Sequence, residues 1–185
     1  MKKLIKVFIL VMLLVGCKGN DKKEETINHK NNNEEVVKEV SDDNFLMTLN
    51  AKVIEDDTFT LFYMKDGDKA ITKKNSISVK VVGSNEPQTI EFKLEDNVLP
   101  MRLFLKFKNE IKRQRIDILN ASLSYEGEEF YIEGNRFFQF FAPNNYIEYD
   151  RDNATAIGKV VKDNYAPSFS SRKVLEDKID FYLYK

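Results

Sequence analysis

The sequence predicts an all-β fold, a jelly-roll-like antiparallel β-sandwich, from three observations. From Asn44 onward apolar residues alternate with polar ones at a period of two, the spacing that lines one face of a strand. The alternating runs are rich in β-branched and aromatic residues, which pack well on a pleated surface. Turn residues divide the runs at intervals of about ten residues, as in a sandwich or barrel.

Phe45, Met47 and Leu49 alternate with Leu46, Thr48 and Asn50 in the first strand. Phe59, Leu61 and Tyr63 alternate with Thr60 and Phe62 in the second, and Ile77, Val79 and Val81 with Ser76, Ser78 and Lys80 in the third. Ile90, Phe92 and Leu94 enclose the charged Glu91 and Lys93, which places Glu91, and likewise Glu148, toward solvent. Leu103 with Leu105 and Ile116 with Ile118 mark two more strands, and Ser122–Tyr125 and Phe130–Ile132 continue the pattern. The turns are Asp66-Gly67-Asp68, Gly83 to Pro87, Asn97 to Pro100 and Glu126-Gly127-Glu128, all built from residues that favour tight turns. Six to eight strands result. Residues 44–185 are long enough to bury a core without disulfides.

The last third is less regular. Phe137 to Tyr146 packs five aromatics into ten positions. Ser171 to Ile179 forms a short helix with Ser170 or Ser171 as its cap. Phe181-Tyr182-Leu183-Tyr184 alternates again, either as a returning edge strand or as a docked tail.

Ahead of the domain, residues 1–16 have the build of a secretory signal. Lys2, Lys3 and Lys6 precede an apolar stretch from Val7 to Val15, too short to span a bilayer as a helix. Leu14-Val15-Gly16-Cys17 resembles a bacterial lipobox, in which cleavage after Gly16 leaves Cys17 as a lipid-modified N-terminus. Two or more acyl chains anchor stably where one does so only marginally, so the resemblance implies a membrane partner through lipid and a place on the periplasmic or cell-surface side of the bacterial envelope. Residues 17–43 follow as a tether. Lys18 to Asp43 holds eight acids, five lysines and few apolar residues, too little to offset ordering entropy. As a coil it reaches about 28 Å r.m.s. and at most about 90 Å stretched. Its acids and lysines, close behind Cys17, resemble the export signals of surface lipoproteins. His29 lies within it as a solvated bystander.

Composition excludes much. Across 185 residues, Lys+Arg at 29 and Asp+Glu at 30 leave a formal charge of −1, so no nucleic-acid partner is expected. One histidine and one cysteine rule out Cys/His zinc sites, Ser-His-Asp triads and Cys-His dyads, and no cofactor or metal is expected. With the cysteine lipidated, no intrachain disulfide forms. The acidic turns at Asp56-Asp57, Asp66-Gly67-Asp68 and Asp150 to Asn153 lack the twelve-residue calcium-loop pattern and read as solvated hairpin turns. Acids are too numerous for a glycosidase pair to stand out, so no enzyme is expected.

The order of segments resembles a β-sandwich module that accompanies bacterial surface-polysaccharide glycosyltransferases. The resembling pieces are Asp57 to Tyr63, Lys74 to Val81, Gln88 to Leu94 with Met101 to Leu105, Ile116 to Ile118, an aromatic segment ending in Asn144, and Asn164-Tyr165-Ala166-Pro167. The chain departs from that pattern at Lys106-Phe107-Lys108 and at Ala166, where acidic residues would stand. The resemblance implies an accessory role, since no transferase domain is present.

The expected function is therefore binding of glycan or cell-envelope polysaccharide. The alternative is a structural or protein-docking subunit of an envelope complex. The aromatic segment holds the candidate ligand-binding residues Phe138, Phe141 and Tyr146, with Asn144 supplying hydrogen bonds, because sugar rings present apolar faces that stack on aromatic side chains. Phenylalanines also fill cores, and with no tryptophan in the chain the largest stacking platform is missing. The basic stretch Lys106 to Arg115 reads as a solvated hairpin whose charges discourage edge pairing, with anionic glycan or lipid phosphate as the other use.

Overall fold

Between Asn44 and Ile132 strands form where the alternation is visible, and the computed structural model describes residues 44–108 and 113–183. Strands β1 (Asn44–Val53), β2 (Asp57–Met64), β3 (Ser76–Val81), β4 (Gln88–Asp96) and β5 (Arg102–Phe107) are followed by β6 (Arg115–Tyr125) and β7 (Glu128–Glu133). Four short strands complete the set: β8 (Phe141–Pro143), β9 (Ile147–Asp150), β10 (Thr155–Gly158) and β11 (Ser168–Ser171). Two short helices, α1 (Phe137–Phe140) and α2 (Lys173–Lys178), flank them.

Among the described residues, every strand pairing is antiparallel. A six-stranded sheet runs β4-β1-β6-β10-β9 with β7 also on β6, and a five-stranded sheet runs β3-β2-β5-β11-β8. β6 holds both neighbours on one edge because it is long: β10 pairs with 115–117 and β7 with 120–125. The chain crosses between sheets repeatedly, at β1–β2, β3–β4, β4–β5 and β5–β6, as the jelly-roll-like sandwich requires. Among the described residues no helix is long and apolar enough to cross a membrane.

The core lies between the sheets and is built from the inward phase of each strand. β1 alternates without a break, burying Phe45, Met47, Leu49, Ala51 and Val53. Each fully buried large side chain contributes roughly 1.5–3 kcal/mol. In β6 the phase slips: Ile116 and Ile118 point inward, then Ala121 and Leu123. The register explains this, since Asn50 pairs with Asn120 but Ala51 with Ile118, leaving Leu119 as the extra residue of a bulge and 39% exposed. Gly134 sits against the same point, and a Cβ there would collide with the Ile118 and Leu119 carbonyl oxygens. Ile116–Ile118 and Ser122–Tyr125 thus belong to one bulged strand. The hairpin to β7 turns on Glu126 (φ 50°) and Gly127 (φ 82°), a two-residue loop whose positive φ at both positions matches strand twist.

The C-terminal segment departs from expectation in two ways. Ser170 and Ser171 end β11 and do not cap α2, which begins after Arg172 without a side-chain cap. Ser171 instead donates its hydroxyl to Glu176 Oε1 (3.1 Å) and accepts from the Leu103 amide (3.1 Å). The described part of the terminal aromatic run forms a π-type helical turn, Ile179–Leu183, burying Ile179 and Leu183. Of the two expectations the edge strand does not form and the described segment docks, coiled because α2 delivers the chain already helical.

Candidate functional site

Phe138 and Phe141 have no exposed surface. The segment coils through a 3₁₀ turn (Gly134–Arg136) and α1 before β8, and this folds its rings between the sheets. Phe137 stacks on Phe141 at 4.7 Å and meets Phe138 edge-on at 5.6 Å, while Phe138 also touches Phe169 at 6.2 Å. These two rings spend both faces on the core and offer none to a ligand. Tyr146 is partly exposed. Asn144 is consumed by the fold: its Nδ2 donates to the Ala166 carbonyl (2.8 Å) and Ser168 Oγ (2.9 Å), and its Oδ1 accepts from the Tyr146 amide (3.1 Å). The four therefore do not converge on one surface. Cys17 and His29 lie outside the described residues, as does 109–112 of the basic stretch.

The acidic turns are likewise used locally. Asp150 accepts from the Asp152 and Asn153 amides (2.9 and 3.1 Å) and from Asn153 Nδ2 (2.6 Å), and the Asn153 side chain holds its carboxyl below the usual carboxylate range. Asp68 accepts from the Lys65 amide and Asn75 Nδ2 (2.8 and 2.9 Å). Among the described residues no three metal-binding side chains gather.

At one end of the sandwich, a buried polar cluster ties the sheets together. Asp57 occupies an inward position of β2 and is 7% exposed. Its Oδ1 accepts from the Thr58 and Lys108 amides (2.6 and 2.8 Å), and its Oδ2 from Gln114 Nε2 (3.0 Å). Gln114, fully buried, also donates to the Glu55 carbonyl (2.7 Å) and accepts from the Glu55 amide (3.1 Å). Burial outweighs these bonds and raises the Asp57 carboxyl above its ordinary value of 3.8. The adjoining groove, about 810 Å³, is lined by Ile54 to Thr58, Lys80 to Gly83, and Lys108.

The most distinctive surface is the outward face of the five-stranded sheet. Strand register places Ser76, Phe62, Phe104, Ser170 and Ala142 in one row across it. The next row holds Ser78, Thr60, Lys106 and Ser168. Phe62 and Phe104 are thus neighbours on adjacent strands, both partly exposed, with strands about 4.8 Å apart. Lys106 Nζ lies 4.8 Å from the Phe62 ring centre, and the Arg102 guanidinium 5.3 Å from that of Phe104. Such contacts contribute roughly 0.5–1 kcal/mol at exposed sites. Arg102 is oriented by Glu176, whose Oε1 accepts from its Nε at 2.9 Å, and the Thr60 and Ser78 hydroxyls bond each other at 2.9 Å.

The signal for this face was present in the sequence. Phe62 and Phe104 stand at the polar phase of alternating strands, where a phenylalanine has no core to fill.

The outward face of the six-stranded sheet differs. One row across it reads Glu91, Thr48, Ser122, Tyr131, and the next Lys93, Leu46, Ser124, Glu129. Tyr131 is 56% exposed and stands among carboxylates.

Compared with protein-family models, with curated proteins and with solved structures, the chain matches none.

Proposed function

We propose that this chain is a lipid-anchored lipoprotein of the bacterial cell envelope whose β-sandwich binds glycan and performs no chemistry on it. The observation that carries the binding role is the Phe62–Phe104 pair, two apolar rings side by side on an outward sheet face whose other positions, Met64 and Ala142 apart, are polar. An exposed apolar patch rimmed by polar residues marks an interaction surface. The rings are partly exposed, each with a cation over one face, while Thr60, Ser78, Ser168 and Ser170 surround them with hydroxyl groups for hydrogen bonds to a sugar. The platform replaces the Phe138–Phe141 segment as the binding surface.

The anchor is Cys17, and the charged residues 18–43 hold the domain off the membrane, on the periplasmic or cell-surface side. The accessory role implied by the resemblance in segment order fits a domain that retains polysaccharide near the envelope.

A glycan-array screen of the full chain in nonionic detergent tests the binding role. Specific binding that is lost in Phe62→Ala/Phe104→Ala, with the variant's β-sheet circular dichroism intact, supports it; an array without specific binding contradicts it.

The second reading, a docking subunit of an envelope complex, is favoured by Val174 (43% exposed) and Phe181 (76% exposed), which line one shallow depression beside Lys178. A stoichiometric partner that co-purifies with the chain and is lost on Phe181→Ser would select it.

A further inference from the structure

Building on the glycan-binding role proposed above, we infer that the ligand is an acidic polysaccharide, whose carboxylates meet Lys106 and Arg102 while its sugar rings lie on Phe62 and Phe104. The charge on the platform is of one sign. Among the described residues, the outward positions of the five-stranded sheet hold Lys80, Arg102 and Lys106 and neither a carboxylate nor a carboxamide. A neutral sugar presents hydroxyl groups that both donate and accept, and sites for it supply strong acceptors. This face supplies cationic donors and small hydroxyls instead, and while either kind of sugar can bond the hydroxyls, only an anion-bearing one supplies the counter-charge to the cations.

The spacing suits a polymer. Arg102, Phe104 and Lys106 follow one another along β5 at two-residue steps, which sets cation, ring and cation along a line about 13 Å long. Phe62 widens the line on β2, and Lys80 lies beyond it, opposite Thr58 on β3. Glu176 meets this face only through Arg102 Nε, and with a side chain 15% exposed it serves to hold the guanidinium over Phe104. At the far end, beyond Lys80, the groove turns mixed in sign where Glu55 and Asp56 line it, which bounds the cationic strip. The six-stranded sheet has the opposite balance: Glu91, Glu129, Glu133, Asp117, Glu148 and Asp150 outnumber Lys52, Lys93 and Arg115 among its outward residues, and that excess of negative charge disfavours the same polymer.

The test is affinity electrophoresis of the full chain in nonionic detergent against polygalacturonate, alginate and hyaluronate, each paired with its methyl-esterified form, and against polyphosphate. The expected result is retardation by at least one acid form, and an affinity about ten-fold lower for its ester, the size of one or two charge-assisted hydrogen bonds. Lys106→Gln should erase that difference, Lys106→Arg should restore it, and Tyr131→Ala on the other sheet should leave it unchanged. Equal binding of acid and ester overturns the acidic-ligand inference and leaves the glycan-binding role standing. So does failure of all three acid forms when the array shows a neutral ligand. Polyphosphate held as tightly as the polysaccharides overturns it as well, because charge would then act without the rings. Failure of both the acid forms and the array overturns the inference together with the role it rests on.

Discussion

The two outward faces of the sandwich obey one alternation rule and carry opposite chemistry. On the six-stranded sheet the outward positions hold more acids than cations, the latter at Lys52, Lys93 and Arg115, with Tyr131 as an isolated ring beside Ser122, Glu129 and Glu133. On the five-stranded sheet they place two phenylalanines side by side, each under a cation. A solvated face tolerates apolar residues scattered singly, and the first face carries Leu46, Leu119 and Ile157 that way, apart from one another among polar and charged residues. The second keeps apolar rings where water can reach them, which costs solvation that a sandwich has no structural reason to accept. The Lys106 ammonium and the Arg102 guanidinium over the rings offset part of that cost. The contrast teaches that the informative residue on a β-sandwich is the apolar one in the wrong phase, more than a dense run of aromatics.

The largest effect should separate buried rings from outward ones. Phe138→Ala should cost about 3–5 kcal/mol in urea unfolding, whereas Phe104→Ala, partly exposed, should cost about 1 kcal/mol. Similar costs for the two would erase the distinction between core and platform.

Next comes the cluster that joins the sheets beneath both faces. Gln114→Ala strips Asp57 and Glu55 of partners and should cost about 2–3 kcal/mol. Asp57 also sets a pH dependence. Its folded carboxyl binds its proton more tightly than the unfolded one, so its contribution to stability falls as pH rises from 3.8 through the raised folded value and is flat above it. Gln114→Ala removes a bond that favours the charged form and should push that fall to higher pH. Asp57→Asn should remove it. Unfolding midpoints measured across acidic to neutral pH check both signs.

Binding should distinguish the faces directly. Phe104→Ala should weaken glycan affinity about ten-fold, while Tyr131→Ala should change it less than about two-fold. The smallest effect is at the support: Glu176→Gln loosens Arg102 and should cost about two- to three-fold in affinity, in keeping with a partly exposed ion pair, with stability little changed.

Much of the fold was legible because β1, β2, β4 and β5 alternate cleanly, so burial follows the sequence residue by residue. Two things were hidden. β8 to β11 run only three or four residues each, too short for a period of two to register. The bulge at Leu119 breaks the phase of β6, so that one long strand reads as two. The aromatic run is ambiguous in sequence, since a dense set of rings suits a binding surface and a core alike, and it is the coil from Gly134 to Phe140 that turns successive rings inward. The platform was readable in principle, for Phe62 and Phe104 stand in the polar phase of strands whose core phase is unmistakable. Asp57 gave the converse signal, a carboxylate at the inward phase of β2. What the sequence does not show is that Phe62 and Phe104 are neighbours, since β2 and β5 pair across the intervening residues 65–101.

The most direct test of the central claim is amide chemical-shift mapping of residues 44–185 titrated with galacturonate oligomers. The account predicts perturbations on β3, β2, β5 and β11, centred on Phe62, Phe104 and Lys106, with β4, β1 and β7 unmoved. Perturbations centred on Tyr131 and Glu91, or none on either sheet, would contradict it.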